Sequence, residues 1–150
     1  MSHSFTRIYV HLIWSTKCHQ RFITNELRPQ LFGHILEYSG ERNIRVDSLG
    51  IQPEHVHLLV NLRGNQNPDD VAKLIKGESS HWINSGNLVD PKFSWQKGYG
   101  AFSVSASHLD RTRELIKNQD EHHNTQSFSE ELRSILLKHG FDTPDLGTGE

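Results

Sequence analysis

Residues 43–62, NIRVDSLGIQPEHVHLLVNL, read as two β-strands with a tight connection between them around Pro53. In the second of these strands side chains two apart share a face. His55, His57 and Leu59 therefore point one way, and Val56, Leu58 and Val60 the other. The segments on either side extend this pair into a fold.

Upstream, SFTRIYVHLIWST (4–16) alternates, with Ile8, Val10, Leu12 and Trp14 on one face, and predicts a strand over 5–15. Between it and the pair, TNELRPQLFGHILEYSG (24–40) carries Leu27, Leu31, Phe32, Ile35 and Leu36 at helical spacing. Pro29 falls in the first turn and Gly40 suits the far end. Downstream, NQNPDDVAKLIKGESSHWINS (65–85) opens a second helix with Asn67 as cap, Pro68 at the first position, and Asp69 and Asp70 at the positive end. FSWQKGYGAFSVS (93–105) is a glycine-broken, aromatic strand region ending near Val104. A third helix is predicted over 108–123, with Ser107 and Asp110 as its capping box. A short fourth helix lies within 127–140, with Ser127 and Glu130 at one end and Gly140 at the other.

The order β-α-β-β-α-β-α-α predicts an α+β fold. The expected layout is a ferredoxin-like split βαβ, an antiparallel sheet with helices mainly on one face. Residues 1–142 are read as one domain and 143–150 as a flexible tail. The third helix is unusual, because its apolar residues are only Leu109, Leu115 and Ile116. So thin a stripe is not expected to hold a helix on its own core, and predicts docking on a partner subunit or a functional role.

Composition narrows the class. At 150 residues the chain suits a single core, and its apolar residues, 34% of the total, are clustered periodically. A single cysteine, Cys18, excludes an internal disulfide and fits a reducing cytosol. No apolar run approaches the ~18 residues of a membrane span, so a cytoplasmic protein with no membrane partner is expected. A net charge of -2 supplies no global attraction to nucleic acid, so any DNA binding needs a local basic patch or a metal.

Two imidazoles two residues apart on a strand can converge on one cation, and a central strand holds them rigidly. Eleven histidines in the chain also make a His-x-His expected by chance. From spacing alone the pair reads sooner as polar residues on a half-exposed strand face.

Four blocks, in order, carry more information: YVHLIWSTK (9–17), GIQPEHVHLLV (50–60), LIKGESSHWIN (74–84) and FSWQKGYGAFSVSASHLDRTRELIKNQDEHH (93–123). Together they resemble the HUH single-tyrosine transposases of bacterial insertion sequences, the IS200-like family, over roughly residues 5 to 130. The resemblance implies a divalent ion, Mg²⁺ or Mn²⁺, held by His55, His57 and a late-helix glutamine that falls on Gln119. Such an ion stabilises charge in an in-line phosphoryl displacement. It also implies single-stranded DNA with hairpin ends as partner, and a homodimer whose third helix completes the other subunit's site.

The family's nucleophile is a tyrosine one helical turn before the glutamine, where its phenolate attacks the scissile phosphate to leave a 5′-phosphotyrosine and a free 3′-hydroxyl. That position here is Leu115. Leucine has no nucleophilic atom, so covalent strand transfer is expected to be lost or impaired. Tyr9, Tyr38 and Tyr99 are simplest as packing residues; Tyr99 is the substitute to consider, because its strand leads into the third helix. A non-catalytic DNA-binding regulator and a metal-dependent phosphoesterase using water remain open alternatives. For DNA contact the candidates are Lys73, Lys76, Ser79 and Ser80 as phosphate donors and Trp82 as a stacking surface, with Trp95 and Tyr99 also considered. His122 and His123 close the third helix near the metal without a ligand role, and His11 faces the same layer as the pair, its role open.

Overall fold

The computed structural model describes residues 3–90, 92–119 and 126–142. Its elements run β1 (Ile8–Ser15), α1 (Leu27–Glu41), β2 (Arg45–Ile51), β3 (His55–Leu62), α2 (Pro68–Ser85), β4 (Gly100–Val104), α3 (Leu109–Lys117) and α4 (Phe128–Lys138). Single 3₁₀ turns occupy Lys17–His19 and Ala106–His108. The four strands form one antiparallel sheet in the order β2-β3-β1-β4, the ferredoxin-like arrangement expected from the sequence. The hairpin between β2 and β3 is held by Gln52 N–H on the His55 carbonyl at 2.8 Å and by Ile23 N–H on the Pro53 carbonyl at 3.0 Å.

Strand alternation decides what lies on each side of the sheet. Val10, Leu12 and Trp14 of β1 and Val56, Leu58, Val60 and Leu62 of β3 enter the main core. There they meet Leu27, Leu31 and Ile35 of α1 and Val71, Ile75 and Ile83 of α2. The opposite face carries two smaller clusters. Ile13 and Phe102 pack with Phe128 and Ile135 of α4, and Leu59 packs with Leu109 and Ile116 of α3. The two long helices thus share one face as expected, while the two short ones cover the other. A central strand apolar on both sides requires both covers.

Asn67 caps α2 through its side-chain oxygen, which accepts from Asp70 N–H at 2.9 Å. The Ser127–Glu130 capping box forms at the start of α4. The Ser107–Asp110 box does not: the chain takes a 3₁₀ turn, and the Ser107 hydroxyl lies 3.2 Å from His108 Nδ1 instead. Helix α1 runs through Gly40, and the left-handed residue beyond it is Asn43, with φ of 58°. Strand β4 begins only at Gly100, where a Cβ would lie 2.9 Å from atoms of both Ile13 and Phe102. Helix α3 ends at Lys117; the expected continuation through 120–123, with His122 and His123, and the tail 143–150 lie outside the described residues.

Leu109 and Ile116 of the thin apolar stripe of α3 pack against the sheet of their own chain. Gly50 of β2 explains how. A Cβ there would stand 3.0 Å from both the Cγ2 and the carbonyl oxygen of Ile116, so only glycine lets the helix come this close. Arg113 adds a two-pronged contact with Asp47 of β2, its Nε and Nη2 donating at 2.9 and 2.8 Å. Two buried apolar residues, a glycine seam and a planar ion pair replace the missing width of the stripe.

Candidate metal centre

His55 and His57 project from β3 toward the α3–α4 face, and both rings are 0% exposed. Their Nε2 atoms meet two side chains brought from elsewhere in the chain. His55 Nε2 lies 3.1 Å from Gln119 Oε1 and 3.6 Å from Glu131 Oε1, and His57 Nε2 lies 2.6 Å from the same Glu131 oxygen. One ligand atom from each of His55, His57 and Glu131 fits within 4.8 Å of the others. Gln119 is placed by the end of α3, its Nε2 donating to the Leu115 carbonyl at 3.0 Å. Glu131 is placed by α4, whose Phe128 stacks on His55 at 4.4 Å between ring centres.

The far nitrogens of both rings are also engaged. His55 Nδ1 lies 2.7 Å from Glu54 Oε1, and Glu54 in turn receives Arg21 at 3.4 Å. His57 Nδ1 lies 2.7 Å from Nε2 of His11, a buried residue of β1. Metal-binding histidines ordinarily have such a second partner, which fixes the ring's orientation.

Electrostatics follows from the burial of one carboxylate among three imidazoles. Burial opposes a charge on His55, yet its hydrogen bonds to Glu131 and Glu54 outweigh it and raise the pKa above 6.5. Burial likewise favours a protonated Glu131, but the His55 and His57 hydrogen bonds prevail and hold its pKa well below the ordinary carboxylate range. For His11, burial, reinforced by His57, outweighs the pull of the Glu131 charge and pushes the pKa down to about 3.

The donor set fits a divalent cation. Ligands about 2.1 Å from an ion at right angles stand about 3 Å apart, close to the 3.1 and 3.6 Å separations here. The 2.6 Å contact between His57 and Glu131 is a hydrogen bond that an ion would open. The buried Glu131 Oε2 has no hydrogen-bond partner among the described residues, a vacancy that calls for a cation or donor. His55, His57, Gln119 and Glu131 could together hold the ion. The expected ligands were all neutral, and the carboxylate of Glu131 changes that balance.

Beside this cluster a cavity of about 580 Å³ opens between β4, α3 and α4. Leu115, half-buried, forms part of its wall together with His11, His108, Arg111, Lys138 and His139. Tyr99 lies elsewhere. Its hydroxyl donates to Asp69 Oδ1 on α2 at 2.9 Å, in the layer across the sheet from the histidines. Desolvation and that bond raise its pKa, contrary to what a phenolate nucleophile requires.

The α2 candidates for DNA contact are largely turned to structural use. Ser79 is buried and accepts Trp95 Nε1–H at 3.0 Å, so neither residue is offered to a ligand. Lys76 donates to the carbonyls of Gln96 and Gly98 at 2.9 and 2.5 Å, fastening the loop before β4. Trp82 is stacked on His34, 4.1 Å apart and nearly parallel, which occupies a face that a base would need. Lys73 is exposed and paired with Asp69, and Ser80 borders a shallow surface groove. In this structure Ser79, Lys76 and Trp82 make packing and bracing contacts. Gln119 meets His55 of its own chain.

Reading the sequence missed Glu131, Glu54 and His11 as parts of the site. Glu131 had a signal: with Phe128 and Ile135 it occupies the buried stripe of α4, where a carboxylate is out of place unless something pairs with it. His11 depends on register, since β1 sets Ile13 opposite His57 and His11 opposite Leu59, whereas Glu54 is the chain neighbour of His55.

Known proteins similar to this chain fall in one family. The family described as "Transposase IS200 like" matches residues 4–119, which takes in both histidines and Gln119. ISDra2 transposase TnpA of Deinococcus radiodurans is 24% identical over 114 residues, covering 73% of this chain and 81% of that protein. Among solved structures, a candidate transposase of Deinococcus radiodurans R1 aligns with a TM-score of 0.64 at 23% identity, over 79% of this chain and 95% of that one. A REP-associated tyrosine transposase bound to a REP hairpin also gives 0.64, at 14% identity, over 100% of this chain and 95% of that one. No described helix is long and apolar enough to cross a membrane. With the match spanning most of its length and the histidine strand at its centre, the chain belongs to the IS200-like transposase family.

Proposed function

We propose that this chain binds hairpin-forming single-stranded DNA beside a divalent ion held by His55, His57, Gln119 and Glu131, and that it lacks covalent strand transfer because Leu115 stands at the tyrosine position. The observation that carries the reading is the convergence of two imidazole nitrogens and a carboxylate oxygen, with Gln119 adjoining, in one buried cluster. The mixed nitrogen and oxygen donors suit Mn²⁺ better than Mg²⁺, which prefers an all-oxygen shell. When bound, the ion supplies charge stabilisation at a phosphate oxygen.

The chain's own residues do the rest. Arg111 and Lys138 at the cavity supply the local cations that a net charge of -2 otherwise withholds from DNA. Phe128 over His55 keeps water from that side of the cluster. Of the alternatives, hydrolysis has one observation in its favour: the cavity at Leu115 admits water where the family has a phenol.

Metal binding is expected to depend on pH with a definite sign. The raised pKa of His55 means that the free site keeps its proton to above 6.5, and the ion must displace it. Mn²⁺ affinity should therefore fall about tenfold per pH unit below 6.5, rise through His55's elevated value, and level off above it. Calorimetric titration of Mn²⁺ between pH 5.5 and 8.5 checks this, and a flat profile contradicts it.

The test of function is the anisotropy of a labelled DNA hairpin with a single-stranded flank, titrated with Mn²⁺-loaded and metal-stripped protein. Tighter binding of the hairpin than of blunt duplex, weakened by chelation, is the expected result. Hairpin binding indifferent to chelation favours a non-catalytic regulator. No preference for the hairpin overturns the proposal.

A further inference from the structure

His11 belongs neither to the cluster nor to the bulk core, but to the boundary between the cluster and the cavity. Strand pairing sets it opposite Leu59 and diagonal to His57. Its ring lies 4.9 Å from that of His57 with 26° between planes, and edge-on to Phe102 at 6.5 Å. The ring lines the cavity on one side, and on the other its Nε2 lies 2.7 Å from His57 Nδ1.

Which atom donates follows from the chemistry of imidazole. A neutral ring has one N–H and one lone pair. If His57 offers the Nε2 lone pair to a cation, its only proton is on Nδ1, and a buried N–H needs an acceptor. Among the described residues, His11 Nε2 is in reach. His55 solves the same problem differently, because its Nδ1 faces the carboxylate of Glu54.

We propose that His11 is a positioning residue for the metal centre, its Nε2 accepting the Nδ1–H of His57 and so holding His57 with Nε2 aimed at the site shared by His55, Gln119 and Glu131. The inference rests on the metal reading above and adds to it an asymmetry: one ligand ring is oriented by a carboxylate, the other by a neutral imidazole. Removing His11's acceptor atom frees His57 to turn or to place its proton on Nε2, where it blocks an ion.

Two substitutions separate the acceptor from the shape. His11→Phe keeps an aromatic ring of similar size and removes the acceptor; His11→Gln restores an acceptor oxygen at a similar reach. Calorimetric Mn²⁺ titration should show His11→Phe weakened about 10- to 100-fold, and His11→Gln within a few-fold of the unmodified chain, with circular dichroism unchanged in both. In the Mg²⁺-saturated unmodified chain, ¹⁵N-edited NMR should show His57 protonated at Nδ1. Equal Mn²⁺ affinity of His11→Phe and the unmodified chain overturns the role of His11 alone, as does a His57 proton on Nε2 should His11→Phe fail to fold. If the unmodified chain takes up no Mn²⁺, the metal reading falls and this inference with it.

Discussion

Leu115→Tyr is expected to turn a chain that forms no covalent bond to DNA into one that does. Position 115 is one helical turn before Gln119, and the hydrogen bond from Gln119 Nε2 to the Leu115 carbonyl fixes the two in register. Leu115 borders the 580 Å³ cavity that also reaches His11, so a phenol has open space to enter. In the reaction the phenolate oxygen would bond to phosphorus while the bond from phosphorus to the 3′-oxygen breaks. The products would be a 5′-phosphotyrosine and a free 3′-hydroxyl. Incubated with Mn²⁺ and a labelled hairpin carrying single-stranded flanks, only the variant should give a DNA adduct that survives SDS. Adding Gln119→Ala to the variant should abolish the adduct. An adduct from the unmodified chain would contradict the loss of covalent chemistry. Cleavage by the unmodified chain without an adduct would establish the hydrolytic alternative.

The second large effect is at Glu131. Its carboxylate is the only anion in contact with the Nε2 atoms of both histidines among the described residues, and one of its oxygens has no other partner. Glu131→Leu strips a buried charge pair of one member, a change that generally costs roughly 3–5 kcal/mol. Glu131→Gln keeps the shape and removes the charge, so it isolates the metal's share. Mn²⁺ affinity at pH 8 should drop by more than about tenfold on loss of a charged ligand. The pH dependence should move as well. Glu131 helps to hold His55's pKa above 6.5; without it only Glu54 opposes burial, the ring loses its proton earlier, and the midpoint shifts to lower pH. Stability has the matching sign. Glu131's depressed pKa contributes stabilisation in full above its ordinary 4.5, lost as pH falls through the lowered value. The metal-free unmodified chain should lose more stability than Glu131→Gln on acidification below 4.5, as read by urea midpoints. Identical titrations and midpoints for the two proteins would remove Glu131 from the site.

What could be read from the sequence was whatever repeats at short range. The alternation of 54–62 and its tight link to 43–51 defined the central hairpin, and Asn67 and Ser127 marked helix starts through contacts three residues away. The Ser107–Asp110 signal had the same spacing and failed, because Ser105 and Ser107 both turn to His108 instead. Ser79 could have been read better. With Val71, Ile75 and Ile83 it lies on the buried stripe of α2, so its hydroxyl was committed to the interior before any question of DNA arose. Lys76 and Trp82 could not, since their partners lie on the loop before β4 and on α1. For the site, His55, His57 and Gln119 came through a family resemblance rather than through spacing. Glu131 and His11 are parts of it because a helix packs down from one side and a strand pairs from the other. Neither relation is local in the chain.

On the proposed reading one divalent cation binds where β3, α3 and α4 meet. Isothermal titration of metal-stripped protein with Mn²⁺ at pH 8, alongside His57→Ala, tests it most directly. One saturable site per chain, absent from a folded His57→Ala variant, is the predicted result. Heats no larger than dilution in the unmodified chain, or equal binding by both proteins, would contradict it.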